Sequence, residues 1–200
     1  DLGTGTGIIA VLVAAKKEPA GVVGLEIQAD MADMASRSVI LNGLEDKISI
    51  VHGDIRDAVQ LFGASSFDAV VTNPPYMEKG GGLLNPEDAK AISRHEILCS
   101  LEDVISVSAR LLKPGGKFSM VHRPHRLADI MYNMRKYRIE PKLMRFVHPS
   151  PGKKPNLVLV SGTKDGKVEL RVQEPLYVYD SSGRYTEEID EIYSRDTAGR

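Results

Sequence analysis

DLGTGTGIIAVLVAAKKEPAGVVGLEI, residues 1–27, changes character three times in quick succession. Asp1 and Leu2 read as the end of a strand, and glycines follow at positions 3, 5 and 7. The next stretch, "IIAVLVAAKK", is built of residues that suit a helix. "GVVGLEI" is then short, apolar and β-branched, as a buried strand is. Strand, glycine turn, helix, strand is the unit of a parallel sheet, because two parallel strands need a crossover between them.

The alternation continues outward. "QADMADMASRSVILNG" predicts a helix closed by Asn42-Gly43, and "KISIVHGD" a third strand. "IRDAVQLFG" is a short helix or loop, and "FDAVVT" a fourth strand. "NPEDAKAISRHEILCSLEDVISVSARLL" predicts mostly helix, and "KPGG" a turn into the strand "KFSMVH". "RPHRLADIMYNMRKY" is again a helix, with Pro124 in its first turn. "IEPKLMRFVHP" and "NLVLVSGTK" are late strands, and Asp165-Gly166 offers a tight hairpin into "KVELRVQ". A parallel sheet covered on both faces is the expectation. Such sheets bind ligands beyond the carboxyl ends of their strands.

At 200 residues the chain is the size of one domain, and its 42% apolar content excludes wholesale disorder. The net charge of −1 says nothing by itself about nucleic acid; its distribution says more. Between His122 and Lys154 lie nine Lys or Arg against two acids, with three of the five histidines. A solvated face is the plain reading of that stretch. The run Glu187-Glu188-Ile189-Asp190-Glu191 leans acidic.

Cys99 is the single cysteine, which excludes an internal disulfide framework and leads us to expect a reducing cytoplasm. Its setting, "EILCSLEDVI", reads as a packed helix position rather than a nucleophile. No run reaches the ~20 apolar residues of a membrane span, and no signal-peptide pattern is visible. Asp1-Leu2 look like the last residues of a strand, so the natural protein is expected to continue upstream. His52, His122, His125 and His148 lack zinc-ligand spacing, and no metal is expected.

Glycines after a strand allow a ligand to approach the backbone and permit positive φ, although a tight turn alone also favours them. The spacing here is G-x-G-x-G, with Ile8 where a dinucleotide fingerprint would continue toward its third glycine. A nicotinamide-dependent oxidoreductase is therefore disfavoured. Glu26 ends the second strand, about 20 residues downstream, where an acid meets ribose hydroxyls. Asp54 ends the third strand. It can accept from an adenine amino group, with the Ile55 N–H serving a ring nitrogen, or it can simply cap the following helix. Together these features imply an adenosine-containing ligand.

The fourth strand leaves the sheet through Asn73-Pro74-Pro75-Tyr76. Proline has no N–H for a ladder, and each proline pushes its predecessor toward an extended conformation. A stiff corner results, with carbonyls beside an amide and an aromatic ring. Asn-Pro-Pro also suits an ordinary turn.

"DLGTGTG", Glu26, Asp54 and "NPPY", in this order, resemble the class I S-adenosylmethionine-dependent methyltransferases that act on amino groups in planar systems. The similarity covers residues 1 to about 165. "SRHEILCSLEDV", "LLKPGGKFSMVHRPHRL" and "FVHPSPGKKPN" further resemble the bacterial tRNA(Val) adenine-N6 methyltransferase family. The resemblance implies a Rossmann-like α/β fold: a mostly parallel seven-stranded sheet, helices on both faces, and an antiparallel last strand. It implies a methyltransferase domain over residues 1–165, with residues 166–200 as a strand and helix extension. S-adenosylmethionine is the implied cofactor, surrounded by Asp1, Gly3, Thr4, Gly5 and Gly7, with Glu26 on the ribose, Ile27 on the adenine face, Asp54 and Ile55 at the adenine edge, and Asn73 nearby.

Asn73, Pro74, Pro75 and Tyr76 are the implied catalytic corner, with Tyr76 stacking on the substrate base. The implied substrate is an adenine in RNA, most specifically tRNA, methylated on its exocyclic amine. A glutamine amide on a translation factor and a DNA adenine are the alternatives. Arg94, His95, Arg123 and Arg126 are candidate substrate contacts, and Arg135, Lys136, Lys153 and Lys154 are further candidates for the RNA backbone.

Overall fold

The computed structural model describes residues 1–74 and 99–193. The glycine-rich loop after Tyr76, the helix expected before Cys99, and the site candidates Pro75, Tyr76, Arg94 and His95 lie outside the described residues.

The strands are β1 (Val22–Glu26), β2 (Ile48–His52), β3 (Phe67–Thr72), β4 (Leu112–His122), β5 (Ile139–His148), β6 (Leu157–Lys164), β7 (Arg171–Val172) and β8 (Leu176–Tyr177). The helices are α1 (Ile8–Lys17), α2 (Ala29–Leu41), α3 (Ala58–Phe62), α4 (Leu101–Leu111), α5 (Leu127–Lys136) and α6 (Glu187–Tyr193). β1 pairs with β2 and β3 with β4, both in parallel. Leu2 joins the two halves: it bridges Leu25 of β1 and Thr72 of β3, parallel to both. The sheet order is therefore β2, β1, Leu2, β3, β4, β6, β5. β6 lies between β4 and β5 and is antiparallel to each, the reversed late strand that the resemblance implies. The result is a Rossmann-like methyltransferase fold.

The apolar patterning explains the layers. Ala10 and Ala14 of α1 and Val39 of α2 pack on Ile48 of β2. The larger core lies elsewhere, where Val104 and Ile105 of α4 and Ile130 and Met134 of α5 meet Phe118, Ile139, Val158 and Val160 of the sheet. Gly7 is required where α1 begins: its φ is +84°, and a Cβ there would stand 3.2 Å from the Ala35 Cβ of α2. Ser100 starts α4, its hydroxyl accepting from the Asp103 N–H while the Asp103 carboxylate accepts from the Ser100 N–H.

Three local expectations are corrected. Cys99 is not on a helix; it stands just before the Ser100 cap, half-buried. "KPGG" is not a turn that precedes the strand; it lies within β4 (Leu112–His122). The β3–β4 register jumps from Phe67↔Leu112 to Ala69↔Lys117, so residues 113–116 bow out of a strand that begins at Leu112. Asp165-Gly166 does not close a hairpin. Asp165 takes up φ +56° and its N–H donates to the Arg138 carbonyl. The chain then crosses to the outer edge of β5, where β7 and β8 pair in parallel with Leu143–Met144 and Val147–His148. Leu176 and Ile189 of α6 cluster there with Val147.

Candidate functional site

Leu2 sits at the centre of the sheet, so the turn that follows it opens at the carboxyl edge between β1 and β3. The Gly3 and Thr4 N–H groups both donate to the Leu25 carbonyl, at 2.9 and 3.0 Å. Gly3 and Gly5 have φ of +71° and +57°, in the left-handed region that glycine tolerates best. A Cβ built on either would meet no atom within 4 Å. The turn is thus shaped by glycine, and among the described residues nothing fills the space a Cβ would take at Gly3 or Gly5, which leaves a bare backbone floor.

Two carboxylates border that floor. Glu26 is 5% exposed and ends β1. Its Oε2 accepts from the Gly5 N–H at 2.8 Å and its Oε1 from the Gln28 N–H at 3.0 Å. Each oxygen engages one protein donor and keeps a second lone pair for a hydroxyl, so the pair suits a vicinal diol. Asp1 accepts from the Thr4 hydroxyl through Oδ2 at 2.6 Å. Its Oδ1 is buried and, among the described residues, has no hydrogen-bond donor. A buried carboxylate oxygen without a donor is costly, and a cationic ammonium is the group that would satisfy it.

The ends of β1 and β2 are tied together by the His52 ring, whose Nε2 lies 3.0 Å from the Ile27 carbonyl and must donate to it. Asp54 follows β2 and caps the 3-10 turn Ile55–Asp57 by accepting from the Arg56 N–H. The Arg56 guanidinium also grips the carboxylate, with Nε and Nη2 on Oδ2 at 3.0 and 2.5 Å. That hydrogen-bonded cation holds the Asp54 carboxyl below its usual pKa. The cap reading of Asp54 is the one the structure shows, and each of its carboxylate oxygens already accepts from two Arg56 groups. Ile55 is the first residue of the turn, where a main-chain N–H has no intrahelical acceptor. Sequence reasoning missed Arg56. The D-x-R spacing was its only signal, and an exposed arginine two residues after a cap is unremarkable in a sequence.

Asn73 and Pro74 leave β3 beside the glycine turn. The Thr72 hydroxyl donates to the Leu2 carbonyl at 2.8 Å, and the Leu2 N–H donates to the Val71 carbonyl at 2.9 Å. These bonds put the start of the corner one strand spacing from Gly3. Asn73 is exposed and Pro74 is buried.

Among the substrate candidates, Arg123 lies at the end of β4 and donates from Nη1 to the Asn156 carbonyl at 3.1 Å. Arg126 forms an ion pair with Asp129 at 2.8 Å. His122 is buried at the same strand end, and burial, with nearby Arg126, lowers its pKa to about 4. Burial pushes the Cys99 thiol up to about 12, away from the reactive thiolate. Among the described residues there is no group of three His, Cys, Asp or Glu able to hold a metal.

The residues present fit S-adenosylmethionine on this structure's own terms. The open glycine floor, the diol-ready Glu26 and the orphan Asp1 oxygen match an adenosine joined to an amino acid.

The family model described as methyltransferase small domain matches residues 1–137. A tRNA1(Val) (adenine(37)-N6)-methyltransferase from Porphyromonas gingivalis is 33% identical over 80% of this chain. The chain spans 62% of the length of that relative. The Bacteroides thetaiotaomicron protein of the same name is 31% identical over 96% of this chain and 78% of its own length. Among solved structures, a predicted O-methyltransferase from Agrobacterium tumefaciens superposes with a TM-score of 0.77 at 25% identity, covering 98% of this chain and 87% of that one.

Proposed function

The chain belongs to the methyltransferase small domain family, and on that premise we propose that it moves a methyl group from S-adenosylmethionine to the exocyclic N6 amine of an adenine in tRNA. The relatives' names support tRNA as the substrate class. The observation that carries the chemistry is the contact of Thr72 with Leu2, which sets the Asn73 corner against the glycine turn.

An adenine amine is a poor nucleophile because its lone pair is delocalised into the ring. It carries two hydrogens, and the corner offers two acceptors, the Asn73 side-chain oxygen and the Pro74 carbonyl. Holding both N–H groups lets the nitrogen turn pyramidal and frees its lone pair. Positive charge that develops on nitrogen then faces two fixed oxygen dipoles, which is preorganised electrostatic stabilisation. After transfer the methylated nitrogen releases one of its two protons to water, giving the neutral secondary amine. When bound, S-adenosylmethionine supplies a methyl on a sulfonium that leaves as a neutral thioether. The protein's remaining task is alignment, which can recover on the order of 7–11 kcal/mol of barrier. Glu26, Asp1 and Asp54 hold the donor, and Asn73 and Pro74 hold the acceptor. In this reading Pro75 stiffens the corner and Tyr76 stacks on the base.

A hydroxyl acceptor, as in the name of the Agrobacterium protein, brings one hydrogen and would leave one of the two acceptors idle. The reading includes no metal, and it places the protein with tRNA in the cytoplasm. No helix among the described residues is long and apolar enough to cross a membrane. Residues 1–165 form the catalytic unit, and 166–200 extend it.

Incubation with labelled S-adenosylmethionine and total tRNA, followed by nucleoside analysis, tests the reading. N6-methyladenosine is expected. Label confined to a translation factor would replace this reading with glutamine-amide methylation, and label confined to DNA would replace it with DNA adenine methylation.

A further inference from the structure

The basic stretch between His122 and Lys154 holds nine cations, and most of them are spoken for. Carboxylates neutralise five: Arg126 by Asp129, Arg135 by Glu140, Lys136 by Glu102, Arg138 by Asp165 and Arg145 by Glu188. Arg123 is bonded to the Asn156 carbonyl and Lys142 to the Lys167 carbonyl. Lys153 and Lys154 remain, exposed and without an ion pair among the described residues. Most of the stretch is thus engaged by the protein's own acceptors, and among the described residues its end is not.

These two lysines lie on the loop that joins β5 to β6. β5 is antiparallel to β6, and β6 to β4, so β5 runs with β4 and β3. Its carboxyl end, and the loop after it, are on the same edge of the sheet as Gly3, Glu26 and Asn73. The loop is held rather than loose. His148 Nδ1 lies 2.7 Å from the Lys153 carbonyl and donates to it, the Lys153 N–H reaches the Ser150 carbonyl, and the Asn156 N–H reaches the Val147 carbonyl. Pro151 and Pro155 further restrict it.

Aromatic rings line the adjoining segment. Tyr177 is paired in register with His148, and their rings are 5.3 Å apart. The Val178 and Tyr179 N–H groups then donate to the His148 and Pro149 carbonyls, so the chain follows the loop outward. It doubles back through a turn in which the Asp180 carboxylate accepts from Ser182 and the Arg184 N–H, near the Arg184 guanidinium. Tyr179 and Tyr185 face each other across that turn and stack at 5.0 Å and 30°. Tyr179 is 38% exposed.

We propose that loop 149–156 and the hairpin 177–185 form a docking surface for single-stranded RNA flanking the methylated adenine. Two unpaired ammonium groups suit phosphates, and anchored tyrosines suit unstacked bases. A purely electrostatic surface would not need the rings, and an apolar partner would not need the lysines. The inference rests on the tRNA reading and assigns a role to the C-terminal segment within it.

The test measures tRNA binding by fluorescence anisotropy across a salt series, tRNA methylation kinetics, and S-adenosylhomocysteine binding by calorimetry. It compares wild type with Lys153→Ala/Lys154→Ala, Tyr179→Ala and Tyr179→Phe. Removing both lysines should lower the magnitude of the log K against log salt slope by about 1.4, the share of two single-strand phosphates. Tyr179→Ala should weaken tRNA binding by roughly tenfold, through KM rather than kcat, while Tyr179→Phe keeps most of the affinity. S-adenosylhomocysteine affinity should stay at the wild-type level in all variants. If wild type methylates tRNA and the double lysine variant keeps its KM and salt slope, the docking surface is refuted while the methylation reading stands. If wild type methylates no RNA, both fall. The lysine variant decides the matter even should Tyr179→Ala fail to fold, because its side chains point into solvent.

Discussion

The Thr72 hydroxyl donates to the Leu2 carbonyl at 2.8 Å, in a part of the sheet where Thr72 is almost wholly buried. That bond joins the strand carrying the acceptor corner to the strand that opens into the glycine turn. Thr72→Val keeps the shape of the side chain and removes the hydroxyl's bond to that carbonyl. It should cost about 1–3 kcal/mol in urea unfolding, and kcat should fall while S-adenosylhomocysteine affinity changes little. Equal losses in both functions would place the bond in cofactor binding instead.

Gly5→Ala separates strain from occupancy. At φ +57° an alanine is strained by about 1–2 kcal/mol, but its methyl meets no protein atom. Stability should fall by about that amount. S-adenosylhomocysteine affinity, measured by calorimetry, should fall by more than tenfold, because the methyl stands on the ligand's floor. Gly7→Ala should reverse the balance, since its Cβ would press on Ala35 of α2 and not on a ligand.

Asp1→Asn tests the orphan oxygen. Asn keeps an acceptor for the Thr4 hydroxyl and removes the buried charge left without a donor at Oδ1. Thermal stability should hold or rise, and cofactor affinity should drop by about tenfold or more, as a charge-assisted bond to an ammonium is lost. A stability loss with unchanged affinity would mean that Asp1 serves the fold alone.

His122 makes a pH signature. Its pKa is lowered to about 4 from an ordinary 6.5, so the folded protein resists protonating it. Above pH 6.5 neither the folded nor the unfolded chain protonates, and the residue contributes no pH dependence. As the pH falls from 6.5 to 4, the unfolded chain binds a proton that the folded one refuses. Stability therefore declines, by up to about 1.4 kcal/mol per pH unit. Urea unfolding of wild type and His122→Gln between pH 7 and 5 should show a shallower slope in the variant.

Much of this was legible because it is local. The glycine turn, the acid at Glu26 and the cap at Asp54 each follow from one residue's geometry a few positions from a strand end. The Leu2 bridge and the positive φ at Gly3, Gly5 and Gly7 bear out the strand end and the tight glycine turn. What the sequence hid is long-range. The fate of residues 166–193 depends on an edge of β5 that no local pattern announces, so Asp165-Gly166 suggested a hairpin while the chain crossed the sheet. Lys153 and Arg145 look alike in a basic run, yet Arg145 is ion-paired and Lys153, among the described residues, is not, because only the fold brings Glu188 to Arg145.

The central claim is that Asn73, set against the glycine turn, holds the amine that is methylated. Single-turnover methylation of tRNA by Asn73→Ala, with S-adenosylhomocysteine binding measured in parallel, tests it most directly. The account predicts a rate lower by about 10²–10³, the effect of removing one preorganised dipole, with cofactor affinity within about threefold of wild type. A variant that methylates tRNA at the wild-type rate would contradict it.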